Sequence, residues 1–169
     1  MADSELNSTS AALLGLLHDG PMTGGDLVAA AEARLGAFWS VTRSQVYREL
    51  PALAERGLLR LGKAGARSSQ PYAITAAGKK AFSRWLSEPP GRDHQRNQLL
   101  LRTSFGSLQT ARQRGQLFEI ERQRHEEQLA RLRQQARQDT TDPYATATIS
   151  FAITYERALL KWLDALTPA

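Results

Sequence analysis

Apolar positions in the first half of the chain recur every three to four residues, and this period predicts a run of short amphipathic helices. Leu13, Leu14 and Leu17 mark the first, over residues 10–18, stopped by Asp19-Gly20-Pro21. Leu27, Val28, Ala31 and Leu35 mark the second. Thr23 opens it, with Asp26 three residues on as capping partner, and Gly36 closes it. Gly24 and Gly25 leave first-turn backbone N–H groups that suit a phosphate or simply form a loose helix start. Val46, Leu50 and Leu53 fall at i, i+4 and i+7 and mark a third helix over residues 42–56, capped by Thr42 and ended by Gly57. Its opposite face carries Arg43, Ser44, Gln45, Tyr47 and Arg48. Phe38 and Trp39, in the connection before it, are expected in the core.

After Gly57 the period shortens. Residues 58–61 and 71–75 alternate and favour β structure, so they predict a hairpin. Its tip, residues 62–70, is rich in glycine and serine and carries Lys63 and Arg67, which suit minor-groove or phosphate contact. Thr75 caps a fourth helix in which Gly78, Phe82 and Trp85 share a face. Residues 87–92 contain two prolines and a glycine, which rule out continuous helix. The domain boundary is placed there, giving residues 1–87 and 88–169.

The second half predicts a short apolar helix over residues 97–105 and a long charged one over residues 109–138. On the latter, Phe118, His125, Leu129, Leu132 and Ala136 recur at helical spacing, with Leu117 and Ile120 beside them. A last helix, with Asp142 as cap and Pro143 at its first position, lines up Ala147, Phe151, Tyr155, Leu159, Trp162 and Leu166. Two long amphipathic helices and a short one leave more apolar surface than they cover, so pairing with a second copy is expected. The arginines of this half read as a solvated helix face.

Composition narrows the function. The 22 basic and 17 acidic residues leave a net charge of +5, which suits an anionic partner. Six basic residues against two acidic ones fall between Arg43 and Arg67. The chain has no cysteine, which excludes disulfides, thiolate metal sites and cysteine nucleophiles. Its three histidines have no partner at metal-ligand spacing, and no catalytic motif is present, so neither metal, cofactor nor enzyme activity is expected. No apolar stretch is long enough for a membrane span and the N-terminus lacks a signal pattern, so a cytoplasmic location is expected.

Three helices followed by a basic hairpin form a winged helix-turn-helix pattern, in which the third helix reads the major groove. The fold class expected is mainly α with a small β-hairpin: an N-terminal winged helix-turn-helix and a C-terminal helical domain. Five pieces in order then resemble the PadR family of bacterial transcription regulators. They are Leu14-Gly15-Leu16-Leu17 with Gly20-Pro21-Met22-Thr23-Gly24; Phe38-Trp39; Ser44-Gln45-Val46-Tyr47-Arg48-Glu49-Leu50; Leu53-Ala54-Glu55-Arg56-Gly57-Leu58; and Tyr72-Ala73-Ile74-Thr75-Ala76-Ala77-Gly78. The region after Pro89-Pro90 resembles the virulence-activator type of PadR C-terminal domain. Gly25, where the family often has an aromatic, and Pro51, inside the third helix, depart from the pattern.

This resemblance implies a homodimeric regulator, foremost a repressor, that binds an inverted-repeat operator in double-stranded DNA and is relieved by a small aromatic effector. DNA contacts are expected from Thr23, Thr42, Arg43, Ser44, Gln45, Tyr47, Arg48, Lys63 and Arg67. Dimer contacts are expected from Leu13, Leu17, Leu117, Phe118, Leu129, Leu132, Phe151, Tyr155, Leu159 and Trp162. Trp85, Phe118, Phe151, Tyr155 and Trp162 are candidates for an effector pocket, although aromatics at helical spacing equally fit core and dimer contacts. The competing reading is a winged-helix protein-interaction module without DNA binding.

Overall fold

The computed structural model describes residues 6–62, 70–91, 97–138 and 141–166. The chain forms two compact units, dividing between residues 91 and 92 just past the Pro89-Pro90-Gly91 break.

The first unit opens with α1 (Ser8–Leu16), which Asn7 caps by accepting from the Ser10 N–H at 2.8 Å. The helix therefore starts before residue 10, and Ser10 lies inside it. A 3-10 turn, Leu17–Asp19, ends at Gly20, whose φ of 138° only glycine takes freely. α2 (Gly24–Leu35) and α3 (Arg43–Glu55) each begin with a reciprocal capping box, Thr23 with Asp26 and Thr42 with Gln45. α3 runs through Pro51, which sits on its exposed side. Gly57, at φ 69°, turns the chain into β1 (Leu59–Leu61), antiparallel to β2 (Tyr72–Ile74). Leu59 pairs with Ile74 and Leu61 with Tyr72, and a bridge from Met22 to Tyr72 ties the hairpin to the entry of α2. α4 (Ala76–Ser87) closes the unit. Its buried Gly78 lies so close to the residue before β1 that a Cβ there would overlap the Leu58 carbonyl oxygen.

Leu13, Leu14, Leu17, Leu27, Val46, Leu50 and Leu53 fill the core of this unit. α1 packs against α2, α3 and α4, so apolar residues around its whole circumference are covered. This corrects two expectations. Leu13 and Leu17, expected at a subunit interface, are buried in their own domain. Phe38 and Trp39, expected in the core, are 53% and 38% exposed, because the leucines of α1 to α3 already fill that space.

The second unit contains α5 (Gln98–Ser104), a 3-10 turn Gly106–Leu108, α6 (Ala111–Ala136) and α7 (Pro143–Leu166). The Asp142 carboxylate accepts from the Tyr144 N–H at 2.9 Å, so it caps α7 as the Asp-Pro pair predicts. Arg122 pairs with Asp164, and His125 Nδ1 meets Glu156 Oε2 at 2.6 Å, so α6 and α7 run antiparallel. Leu99, Phe118 and Leu163 form a small core, with Leu117, Leu159, Trp162 and Leu166 packed around it.

The face of α7 turned towards α6 differs from the expected stripe. Ala152, Glu156 and Leu163 are buried, whereas Phe151 and Tyr155 are 70% and 45% exposed. The small Ala152 side chain permits close approach at that level, and Glu156 is tolerated in the seam because His125 satisfies it. Phe118, Leu129 and Leu132, expected to meet a second copy, are buried within this chain. Leu117, Leu159 and Trp162 are partly buried there too. Among the described residues, no helix is long and apolar enough to cross a membrane.

Candidate nucleic-acid interface

The N-terminal half of α3 is polar, exposed and anchored from behind. Val46, Leu50 and Leu53 fix its rear in the core, while Arg43, Ser44, Tyr47 and Arg48 are exposed and Gln45 is partly so. Thr42 Oγ1 accepts from the Gln45 N–H at 3.3 Å, and Gln45 Oε1 accepts from the Thr42 N–H at 2.8 Å. The box spends the oxygens of both residues on the helix start. It leaves the Gln45 amide NH2 as the group that can donate outward. Ser44 Oγ lies 3.1 Å from Thr42 Oγ1.

Tyr47 links α3 to α2. Its ring covers buried Gly24, and a Cβ at that glycine would come 3.0 Å from Tyr47 Cζ. Gly24, a first-turn residue whose N–H suits a phosphate, thus has a packing role. The Arg43 guanidinium lies 5.4 Å from the centre of the Tyr47 ring, within cation–π range. Arg43, Tyr47 and Gly24 therefore form a stack that holds a cation at the tip of α3.

Thr23 is committed to its own cap. It donates its backbone N–H to Asp26 at 3.0 Å and its hydroxyl to the same carboxylate at 2.7 Å. The hydroxyl first, and then the N–H, hold the Asp26 carboxyl below its usual range. Lys63 and Arg67 lie outside the described residues.

The sequence reading did not single out Glu49, which is buried on the core side of α3. Glu49 Oε2 accepts from Ser10 Oγ at 2.7 Å and from Asn7 Nδ2 at 3.0 Å. Glu49 Oε1 accepts from Arg48 Nε at 3.2 Å and Nη2 at 3.1 Å. The Ser10 hydroxyl foremost, with Asn7 and Arg48, outweighs burial and keeps the Glu49 carboxyl below its usual range. The signal was present in the spacing: residue 49 is three after Val46 and four before Leu53, which puts an acid on the apolar stripe.

The aromatic candidates for an effector pocket divide between the units. Trp85 belongs to the first, where it stacks on Phe82 with ring centres 6.2 Å apart. Phe118 and Trp162 pack in the small core of the second, and Phe151 and Tyr155 stay open on α7. Among the described residues there is no group of His, Asp or Glu side chains able to hold a metal ion.

Comparison with known proteins places this geometry. A family model described as the transcriptional regulator PadR-like family matches residues 13–84. A second, described as virulence activator alpha C-term, matches residues 95–168. The negative transcriptional regulator PadR of Bacillus subtilis is 30% identical over 125 residues, covering 72% of this chain and 69% of that protein. The structure of Bacillus subtilis PadR in complex with operator DNA superposes with a TM-score of 0.80 at 23% identity, covering 95% of this chain and 97% of that one. The structure of the same protein with p-coumaric acid gives a TM-score of 0.74 at 24% identity, covering 95% and 96%. With a winged helix-turn-helix first unit, a helical second unit matched by the virulence-activator model, and this relative, the chain belongs to the PadR family of transcriptional regulators.

Proposed function

We propose that the chain is a homodimeric repressor whose α3 reads an inverted-repeat operator in the major groove. The observation that carries this reading is the exposed N-terminal half of α3, cationic and rich in donors, on a helix whose rear is locked into the core. Arg43, Ser44, Gln45, Tyr47 and Arg48 are the contacts closest to the bases. Lys63 and Arg67 contribute backbone contacts, and Thr23 and Thr42, whose hydroxyls are engaged by their own caps, stand at the two helix starts that meet the backbone. The operator complex of Bacillus subtilis PadR supports the assignment, since that protein shares the fold.

Dimerisation is supported by the apolar surface that the second unit leaves open. Tyr144, Phe151 and Tyr155 lie exposed along α7, and Ile120 on α6. Leu100, Leu101, Phe105 and Leu108 add further exposed apolar side chains in and just after α5. Tyr144, Phe151 and Tyr155, at i, i+7 and i+11, share one face of α7, and an exposed apolar face of that kind marks an interaction site. A second copy covers this surface and presents a second α3, with half-sites about one helical turn apart. A small aromatic effector relieves repression. The p-coumaric acid complex of Bacillus subtilis PadR supports that class of ligand, and Trp85, Phe118, Phe151, Tyr155 and Trp162 remain its candidate aromatics, of which Phe151 and Tyr155 are exposed in the single chain.

Selection from a random duplex pool by the full chain is expected to enrich an inverted repeat. Affinity for it should fall steeply with salt, since each phosphate contact releases counterions. A panel of phenolic acids should include one that weakens binding. Enrichment of no sequence, or sedimentation of the bound protein as a monomer, overturns the proposal.

A further inference from the structure

We propose that Glu49 is a positioning residue for base recognition: one carboxylate oxygen clamps it to α1, and the other holds the Arg48 guanidinium and turns its free edge outward. The inference rests on the reading of α3 as the DNA-contacting helix. The two oxygens are divided cleanly. Oε2 takes Ser10 and Asn7, and Oε1 takes Nε and Nη2 of Arg48. The Glu49 side chain is 12% exposed and the Arg48 side chain 69%, so a fixed anchor carries an accessible head.

Arginine has five N–H donors in a planar fork. Glu49 engages the Nε side of that fork, which leaves the Nη1 pair and one Nη2 hydrogen pointing away from the carboxylate. That edge matches the O6 and N7 acceptors of a guanine in the major groove. An arginine without such a holder loses more rotamer freedom on binding than a preorganised one. A carboxylate beside a polyanion also opposes binding to any duplex. Its presence behind the reading face therefore favours discrimination over affinity. The hydrogen bonds from Ser10 and Asn7 keep Glu49 ionised at neutral pH, as holding a cation requires.

Glutamine at this position has one accepting oxygen and an NH2: turned to α1 the oxygen leaves the NH2 facing the Arg48 guanidinium, and turned to Arg48 it holds the cation without the charge, so either way the grip on Arg48 weakens. The test compares full-length wild type, Glu49→Gln, Arg48→Ala and the double variant on the duplex enriched by wild type. Every single-base-pair change of that duplex is also titrated. Arg48→Ala and Glu49→Gln are expected to lose preference at the same base pair, about tenfold for Arg48→Ala and less for Glu49→Gln. Glu49→Gln should bind non-specific duplex as well as wild type or better. In the Arg48→Ala background it should change the preference no further.

Should Glu49→Gln fail to fold, Ser10→Ala decides on the base-pair preference alone, since it removes one of the two donors to the anchored oxygen, leaving Asn7, and keeps the charge. A loss of affinity uniform over all duplexes, or an unchanged preference, overturns the inference. If Arg48→Ala loses the preference and Glu49→Gln keeps it, only the positioning role falls. If Arg48→Ala also keeps it, the base-reading role of Arg48 falls with it.

Discussion

The Ser10 hydroxyl donates to Glu49 Oε2 at 2.7 Å, joining residues 39 positions apart and fastening the start of α1 to the middle of α3. Burial would normally drive a glutamate toward its neutral form, and here the hydrogen bonds win, with Ser10 the largest cause. The folded-state pKa thus lies below the ordinary 4.5, and the unfolded chain holds that proton more tightly. Stability from this group is fully present above about pH 4.5 and is lost as pH falls through the lower folded value. Ser10→Ala should cost roughly 1–3 kcal/mol at neutral pH, as expected for a lost hydrogen bond to a charged group. The deficit should shrink in acid. Urea midpoints at pH 7 and pH 3.5 measure both, and an equal deficit at the two pH values would contradict the linkage.

Gly24 and Gly25 provide a paired test of the Tyr47 stack. A methyl group at Gly24 meets the Tyr47 ring at 3.0 Å, whereas one at Gly25 meets only Thr23 Oγ1 at 3.8 Å. Gly24→Ala is therefore expected to shift Tyr47 and Arg43 and to weaken operator binding several-fold with little change in thermal midpoint. Gly25→Ala should leave binding unaltered. Anisotropy titrations beside thermal melts separate the two effects.

Gly78 carries a structural constraint of a different kind. Any side chain there overlaps the Leu58 carbonyl oxygen, which is backbone and cannot swing aside. Gly78→Ala should destabilise the fold by roughly 1–3 kcal/mol, the usual range for overpacking. Differential scanning calorimetry of the variant reads this directly. The loss of midpoint should be accompanied by no change in the operator sequence preferred by the folded fraction.

The two sets of leucines and aromatics expected at the dimer interface should now behave differently. Leu13→Ala empties part of a sealed core and should cost about 2–5 kcal/mol of fold stability. Phe151→Lys and Tyr155→Lys change exposed positions of α7. They should leave the secondary structure intact while raising the dimer dissociation constant at least tenfold. Analytical ultracentrifugation with circular dichroism distinguishes these outcomes. A Phe151→Lys chain that remains dimeric at low micromolar concentration would place the interface elsewhere.

The local grammar of this protein is written in its sequence. Thr23, Thr42, Thr75 and Asp142 cap the helices they were expected to cap, because capping depends on residues within one turn. The turn at Gly57 follows equally from near neighbours, and the two β segments show in their own alternation, whereas their register, Leu59 with Ile74, does not. Which apolar face meets which was decided by the tertiary structure. The leucines of α1, two of which the sequence assigns to a partner, are all used by the three helices around it. α7 buries Ala152, Glu156 and Leu163 in place of Phe151 and Tyr155, because a small residue and a satisfied carboxylate pack there more closely, while Leu159, Trp162 and Leu166 of the expected stripe do pack inward. Glu49 is the sharpest case. Its place on the apolar stripe was visible, but its meaning came from Asn7 and Ser10, and a hydrogen bond across 39 residues leaves no trace in the periodicity of one helix.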